Sequence, residues 1–340
     1  MVSLQKLGWE NYTNQVIEAP LSEDIGRVRR VDRGEVDVLT SNGEIRALSD
    51  SQRAKSITAP VTGDWVKVFR DPEQSYLVES VLPRYSQIVR RDPAEIERPQ
   101  ILATNVDAVA IVLSADRPIN LARIERLLVV AATGDAKAVL ILSKADLGTP
   151  AEWDELDHEF PQVQKIKTSS FSDDGKSDME ALLNPNKTLV LLGESGVGKS
   201  TLVNYLAGQE KQETKEVRLK DRKGRHTTTA REMILIPSGG IIIDTPGIRG
   251  VGLWNAEKGI DRVFHSIFQT SQKCRFNDCT HKAEPHCAIQ KAVSEGHIHH
   301  EKLERYQRLV EEASEQTEIR NRQNRKSVSY THLRAHETAY

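Results

Sequence analysis

Cysteine is scarce: the 340 residues contain three, all between Cys274 and Cys287. An odd number so confined argues against a disulfide framework and suits a bound metal better. Long apolar runs are missing too. The longest, such as Ala108 to Leu113 and Ala138 to Leu142, fall far short of the ~18 residues a membrane-crossing helix needs, so no membrane span is expected. Nor is there a surplus of charge: 47 basic against 49 acidic residues leave a formal −2. That argues against a protein coating nucleic acid over its whole surface, while local basic patches remain open. Met1 to Trp9 lacks a basic start followed by an apolar core. No secretory leader is read there, and a cytoplasmic location is expected. The length suits roughly two or three domains.

From Gly26 to about Pro83 short alternating segments, including Gly34 to Thr40 and Gly63 to Phe69, are punctuated by Asn42-Gly43 and Gly63-Asp64 turns. This pattern predicts a small β-barrel over residues 1–85, of the oligonucleotide-binding kind or a similar one. Ser86 to Gln100, polar and with two prolines, reads as a linker. From Asp107 the pattern changes. Apolar runs Asp107 to Leu113, Ala138 to Leu142, Thr188 to Leu192 and Gly240 to Ile243 alternate with helical stretches such as Leu121 to Thr133 and Lys199 to Ala207. That is the signature of a covered, largely parallel α/β sheet, assigned to residues 86–253. After Trp254 the chain turns helical, with Leu303, Tyr306, Leu309 and Val310 on one apolar face of a last helix, giving a third domain over 254–326. Ser327 to Tyr340 has no apolar periodicity and is read as a non-native or disordered tail.

Gly193-Glu194-Ser195-Gly196-Val197-Gly198-Lys199-Ser200, with Thr201 after it, follows an apolar strand and opens a helical stretch. This is the phosphate-binding loop G-x-x-x-x-G-K-[ST] in its required context. Glycines let backbone N–H groups approach phosphate closely. Lys199 is expected on the β- and γ-phosphates, Ser200 on Mg²⁺, and the helix N-terminus adds a favourable dipole. A plain glycine turn explains the glycines but not the Lys-Ser ending. Further along, Ile241-Ile242-Ile243 runs into Asp244-Thr245-Pro246-Gly247. There Asp244 would hold Mg²⁺ through water and the Gly247 amide would meet the γ-phosphate.

The loop alone does not separate a GTPase from an ATP-using enzyme. Ala138 to Leu142 leads into Ser143-Lys144-Ala145-Asp146, similar to the guanine-reading motif. A carboxylate at Asp146 accepts both N1–H and the exocyclic amine, a donor pair adenine does not offer. Lys144 would pack along the ring, and Ser143 stands where Asn is usual. Ser169-Ser170 matches the serine loop that meets guanine O6. These elements precede the phosphate loop instead of following it, so the motif order is circularly permuted.

Together with Gly63-Asp64-Trp65-Val66, Gly224-Arg225-His226-Thr227-Thr228-Thr229 and Cys274-x4-Cys279-x-His281-x5-Cys287, this order resembles the ribosome small subunit-dependent GTPase A family. The resemblance covers the chain to about residue 326. It implies an RNA-binding-type barrel, a permuted P-loop GTPase domain and a helical zinc domain, in a monomer that cycles between GTP and GDP. It also implies action on the small ribosomal subunit and its rRNA late in maturation, with the subunit stimulating turnover. Lys211 to Arg225 suits a switch loop, and by resemblance Thr228 joins Ser200 and Asp244 on Mg²⁺. Ile248 replaces the usual water-orienting Gln, so His226, whose counterpart in the family has that role, is the candidate to position water beside the catalytic Lys199. The competing readings are an ATP-using P-loop enzyme and an RNA-binding module whose hydrolysis is incidental.

Cys274, Cys279, His281 and Cys287 give a Cys₃His set suited to one tetrahedral, structural Zn²⁺. His286 is the alternate ligand, hindered by its place directly before Cys287. Arg320, Arg322, Arg325 and Lys326 are basic residues available to rRNA phosphates.

Overall fold

The computed structural model describes residues 3–16, 24–49, 58–72, 75–92, 98–172, 174–208, 231–245, 251–282 and 284–337, with the side chains of the last helix described to residue 319. Two compact units result. One comprises Met1–Ile88, Ile101–Leu121 and Gly134–Gly250, the other Val89–Gln100, Ala122–Thr133 and Val251–Tyr340.

In the first unit β1 (Ile25–Val31), β2 (Glu35–Thr40), β3 (Gly43–Leu48), β4 (Trp65–Arg70) and β5 (Tyr76–Val81) form a barrel. Its order is β1-β2-β3-β5-β4, closed by β4 pairing back onto β1. Alternate inward valines, Val28, Val36, Val38, Val66, Val68 and Val78, fill it, as β-branched residues on a pleated surface favour. The Gly63-Asp64-Trp65 turn has a clear physical logic. Gly63 is left-handed at φ 97, and a Cβ there would lie 2.4 Å from the Thr104 carbonyl oxygen. Asp64, wholly buried, accepts from Arg84 Nε and Nη2, both at 2.7 Å. Trp65 packs against Trp9 of α1 (Trp9–Gln15), their ring centroids 4.7 Å apart.

β6 (Gln87–Arg91) and β7 (Pro99–Thr104) pair as a ribbon, so the stretch expected to be an irregular linker contains strand at both of its ends. Ile88 is fully buried there, and Arg90 Nε donates to Gln100 Oε1 at 2.9 Å. Their polar neighbours masked the pattern.

β8 (Ala108–Ser114), β9 (Lys137–Ser143), β10 (Gln164–Lys167), β11 (Thr188–Leu192), β12 (Glu232–Leu235) and β13 (Ile241–Asp244) form the second half of the sheet. The order is β10-β9-β8-β11-β13-β12, parallel except for β12. The strands Thr188 to Leu192 and the helices α2 (Leu121–Thr133) and α5 (Lys199–Ala207) have the limits the sequence predicts. Between α2 and α5 lie α3 (Glu152–Glu159) and α4 (Lys176–Leu183). Strand and helix side chains such as Val112, Ile141, Met179, Leu191, Val203 and Ile242 share one core.

Barrel and parallel sheet cluster as one unit because they share a ladder and a buried cation. β12 pairs with β1 at Glu232 and Arg30. Arg27, 1% exposed, donates to the carbonyls of Leu7 (2.6 Å), Gly63 (3.2 Å) and Asn105 (2.9 Å).

The second unit gathers most of α2 with the helices Glu257–Val263, His265–Ser271, Ala288–Ser294 and His300–Glu337. Chain order alone placed α2 with the sheet; Glu125, fully buried, accepts from Arg305 Nε at 2.7 Å, and Arg126 pairs with Glu312 at 2.7 Å. Leu303, Tyr306 and Leu309 are buried as their spacing predicts. The final helix runs on to Glu337, past the point where apolar periodicity stops, so the break expected at residue 327 is not a break in helix.

Candidate nucleotide site and metal centre

Parallel strands level their C-terminal ends. Ser114 pairs with Ser143, Leu142 with Lys167, Leu192 with Ile111, and Leu191 with Asp244. Motifs far apart in sequence therefore open onto one edge of the sheet, the usual place for a ligand in an α/β fold.

The loop Gly193–Ser200 leaves β11 tight against β8, where a Cβ on Gly193 would lie 2.6 Å from the Val112 carbonyl oxygen. Lys199 is buried and donates to the carbonyls of Gly193 and Glu194, each at 2.8 Å. Ser200 and Thr201 stand in the first turn of α5. Asp244 ends β13 beside the loop's root, and Thr245 Oγ1 donates to the Leu191 carbonyl at 2.7 Å.

At the neighbouring strand end Ser169 Oγ donates to Asp146 Oδ1 at 2.6 Å and accepts from Phe171 N at 3.1 Å. The two elements that the sequence predicts to read a base are thus brought together. Asp146 is exposed, Ser169 buried and Ser170 half-buried. Lys144 sits in a left-handed conformation at φ 56 and joins the base side to the phosphate side, reaching Asp116 Oδ2 at 2.7 Å and the Gly196 carbonyl at 3.3 Å. Its ammonium holds the Asp116 carboxyl below the usual carboxylate range. Ser143 is buried, its Oγ 2.9 Å from the Leu113 carbonyl oxygen and also bonded to that of Val197. It is a strut between β9 and the phosphate loop.

Sequence reasoning missed Asp116 and Arg117. Arg117 Nη1 lies 3.2 Å from Glu194 Oε2 and 3.3 Å from the Ser195 carbonyl oxygen. The available signal was their place just past the end of β8, level with Ser143. His226, Thr227, Thr228, Thr229, Gly247 and Ile248 lie outside the described residues.

In the second unit the donor atoms of Cys274, Cys279, His281 and Cys287 all lie within 4.8 Å of one another. Cys274 Sγ is 3.9 Å from Cys287 Sγ, and His281 Nδ1 is 3.6 and 3.5 Å from those two sulfurs. Metal–sulfur bonds of about 2.3 Å and metal–nitrogen bonds of about 2.0 Å at tetrahedral angles put such edges near ~3.8 and ~3.5 Å, which the separations among Cys274, His281 and Cys287 match. His286 is outside it. Burial keeps His281 below its usual value, favouring the neutral imidazole a metal needs. Burial also pushes the Cys279 thiol up to about 12. At Cys274 burial acts the same way but is outweighed by the Ala288 and Ile289 amides, which hold the thiol low. Cys287 caps the helix Ala288–Ser294, its sulfur accepting from Gln290 N.

Among the described residues no helix is long and apolar enough to cross a membrane. The family model described as RsgA GTPase matches residues 81–254, and one described as ABC transporter matches residues 177–333. Among curated relatives, a Small ribosomal subunit biogenesis GTPase RsgA of Streptomyces coelicolor is 38% identical over 318 residues, 91% of this chain and 86% of that protein. Its namesake in Streptomyces avermitilis is 41% identical over 293 residues, 84% and 79% of the two chains. The solved structure of YjeQ from Thermotoga maritima superposes at TM-score 0.59 with 24% identity, covering 83% of this chain and 95% of that one. That of YloQ, described as a circularly permuted GTPase, superposes at 0.60 with 24% identity, covering 89% and 99%. These two likenesses concern the fold.

Proposed function

Because the chain belongs to the RsgA GTPase family, we propose that it binds the small ribosomal subunit, hydrolyses GTP there late in maturation, and departs with GDP. The observation that carries this reading is the junction of base and phosphate ends: Asp146 tied to Ser169, and Lys144 bridging Asp116 to the Gly196 carbonyl. A base seated on Asp146 has its phosphates over the loop that Lys144 touches.

Asp146 accepts guanine N1–H and the exocyclic amine, and Ser169 and Ser170 border O6. On triphosphate binding Lys199 exchanges its two carbonyl partners for phosphate oxygens, a short move for a residue already folded onto the loop. Ser200, Asp244 and Thr228 would hold Mg²⁺, which draws charge from the β- and γ-oxygens. His226 orients water, with Gly247 on the γ-phosphate. Cys274, Cys279, His281 and Cys287 take one structural Zn²⁺, because every coordination position is filled by protein.

Contact with rRNA is assigned to the barrel and to the basic end of the last helix. On the barrel Arg29 pairs with Glu44 and Glu232, Arg30 with Asp32, and Arg46 with Asp32, Glu35 and Asp37. Phosphate contact by this face therefore proceeds by exchange of carboxylate for phosphate, and is salt-sensitive. The protein acts as a cytoplasmic monomer, divided into barrel, permuted GTPase domain and zinc domain.

The test is hydrolysis by the purified protein with and without small subunits, beside an ATP control and a metal assay. GTP-specific stimulation and one zinc per chain support the reading. Equal, unstimulated hydrolysis of both nucleotides would favour the ATP-using alternative, to which the ABC-transporter match across the phosphate loop lends its one observation.

A further inference from the structure

Arg117 lies on the loop that leaves β8, a strand whose register is fixed against β11 up to Ile111 and Leu192. Its guanidinium meets the phosphate loop twice, through the Glu194 carboxylate and the Ser195 carbonyl. Asp116 beside it pairs closely with Lys144, at 2.7 Å, and more loosely with Arg117 Nε, at 3.7 Å, so this loop gathers both signs of charge around one phosphate cradle. A carboxylate within such a loop is electrostatically unwelcome. Four negative charges of a nucleoside triphosphate come to rest on backbone N–H groups a residue or two away. The Arg117 side chain is 39% exposed and that of Glu194 41%, so their pairing contributes little to stability and is cheaply exchanged. Arginine, planar and permanently charged, matches phosphate oxygens bidentately.

We infer that Arg117 is a charge-stabilising arginine supplied in cis, which leaves Glu194 for the γ-phosphate when GTP is bound. The inference rests on the GTPase reading and adds a residue to it. In the step concerned the water oxygen forms a bond to the γ-phosphorus. The bond from that phosphorus to the β,γ-bridging oxygen breaks, its electron pair staying on GDP. One water proton remains on the phosphate formed and the other goes to solvent. Arg117 bears on the charge gathering at the bridging and γ-oxygens, as arginines do in other GTPases, where they supply about 10³- to 10⁵-fold. In the structure the same guanidinium pairs with Glu194, which accounts for an acidic residue being tolerated there.

The experiment uses full-length protein with Arg117→Ala, Arg117→Lys and Glu194→Gln, each checked by thermal melting. Three readouts are taken: affinity for a fluorescent GDP, trapping of GDP with aluminium fluoride as a mimic of the transferring phosphoryl group, and single-turnover hydrolysis with small subunits. Arg117→Ala is expected to bind GDP within about threefold of the parent, to lose aluminium-fluoride trapping, and to hydrolyse about 10³-fold more slowly. Arg117→Lys, which keeps the charge but not the fork, falls between. Glu194→Gln, which breaks the ion pair but leaves the guanidinium, traps at least tenfold better than Arg117→Ala. The inference is overturned if Arg117→Ala traps and hydrolyses like the parent, if it loses GDP affinity in step with hydrolysis, or if Glu194→Gln reproduces its loss, since the pair is then only a brace. Failure of the parent itself to bind GDP overturns the GTPase reading instead, and this inference with it.

Discussion

Replacing Asp146 by Asn isolates the base-reading step, because it changes which groups donate while leaving the shape of the side chain. In the structure Asp146 Oδ1 accepts the Ser169 hydroxyl at 2.6 Å. An amide oxygen accepts the same bond, so the loop that carries Ser169 is kept in place. Toward guanine the change is severe. The carboxylate accepts two hydrogen bonds, from N1–H and the exocyclic amine; the amide accepts one and turns its NH₂ against the other donor. Charge-assisted hydrogen bonds contribute about 1.5–3 kcal/mol each. Losing one outright and reducing the other to a neutral bond of about 1 kcal/mol therefore weakens binding by about 2–5 kcal/mol, or roughly 30- to 4000-fold at 1.4 kcal/mol per decade. Asp146 is exposed, which favours the lower end, about 30-fold. Xanthine, with a carbonyl where guanine has its amine, restores both bonds, accepting from the amide and donating N1–H to it. Competition of GDP and xanthosine diphosphate against a fluorescent GDP analogue measures both arms, with the melting temperature as a control on folding. A GDP affinity within threefold of the parent would refute the assignment of Asp146, whatever xanthine does.

Three further outcomes are expected. Ser143→Ala removes a buried hydroxyl from between the Leu113 and Val197 carbonyls; at about 1 kcal/mol for one hydrogen bond, GDP affinity measured by the same competition falls roughly fivefold. Arg27→Met leaves the Leu7 and Asn105 carbonyls buried without this donor, while Gly63 O retains Asn105 Nδ2 at 3.1 Å. Two such losses at about 1–3 kcal/mol each lower the stability read from urea unfolding by about 2–6 kcal/mol. Burial opposes ionisation of Glu312, but Arg126 at 2.7 Å and the Leu253 amide outweigh it and hold the carboxyl below its usual value. A depressed carboxylate contributes stability above its unfolded-state value and loses it as pH falls through the folded one. The melting temperature therefore drops between about pH 5 and pH 3, and Glu312→Gln flattens that part of the profile.

What could be read without coordinates was whatever is written locally. The phosphate loop is contiguous, the ends of α2 and α5 are marked by changes of pattern, and the metal donors cluster within fourteen positions from Cys274 to Cys287. The valine alternation of β2 gave the barrel. Less was visible where partners are distant. Ile88 and its neighbours read as polar linker because their alternation is short. The placing of α2 with the C-terminal helices depends on Glu125 meeting Arg305, 180 positions away. Ser143 was legible only as standing where Asn is usual, since the strand pattern does not say that its hydroxyl faces Leu113 and Val197. Arg117 carries no motif and acquires meaning only from its distance to Glu194.

Permutation leaves such a site intact because the sheet, and not chain order, sets it. The ladder aligns the ends of β8, β9, β10, β11 and β13, and each end contributes one chemical part: Asp116 and Arg117, then Lys144 and Asp146, Ser169, the loop to Ser200, and Asp244. Any order of connection that preserves these neighbours preserves the constellation. What permutation does change is where the chain goes on leaving the site. After β8 it enters α2, and after β13 it runs on to Val251, and both of these continuations belong to the second compact unit. In the unpermuted order the stretch after the Asp-x-x-Gly turn would continue within the nucleotide domain. Here the segments beyond Arg117 and Asp244 each run on into the second compact unit, the one in which Cys274, Cys279, His281 and Cys287 lie.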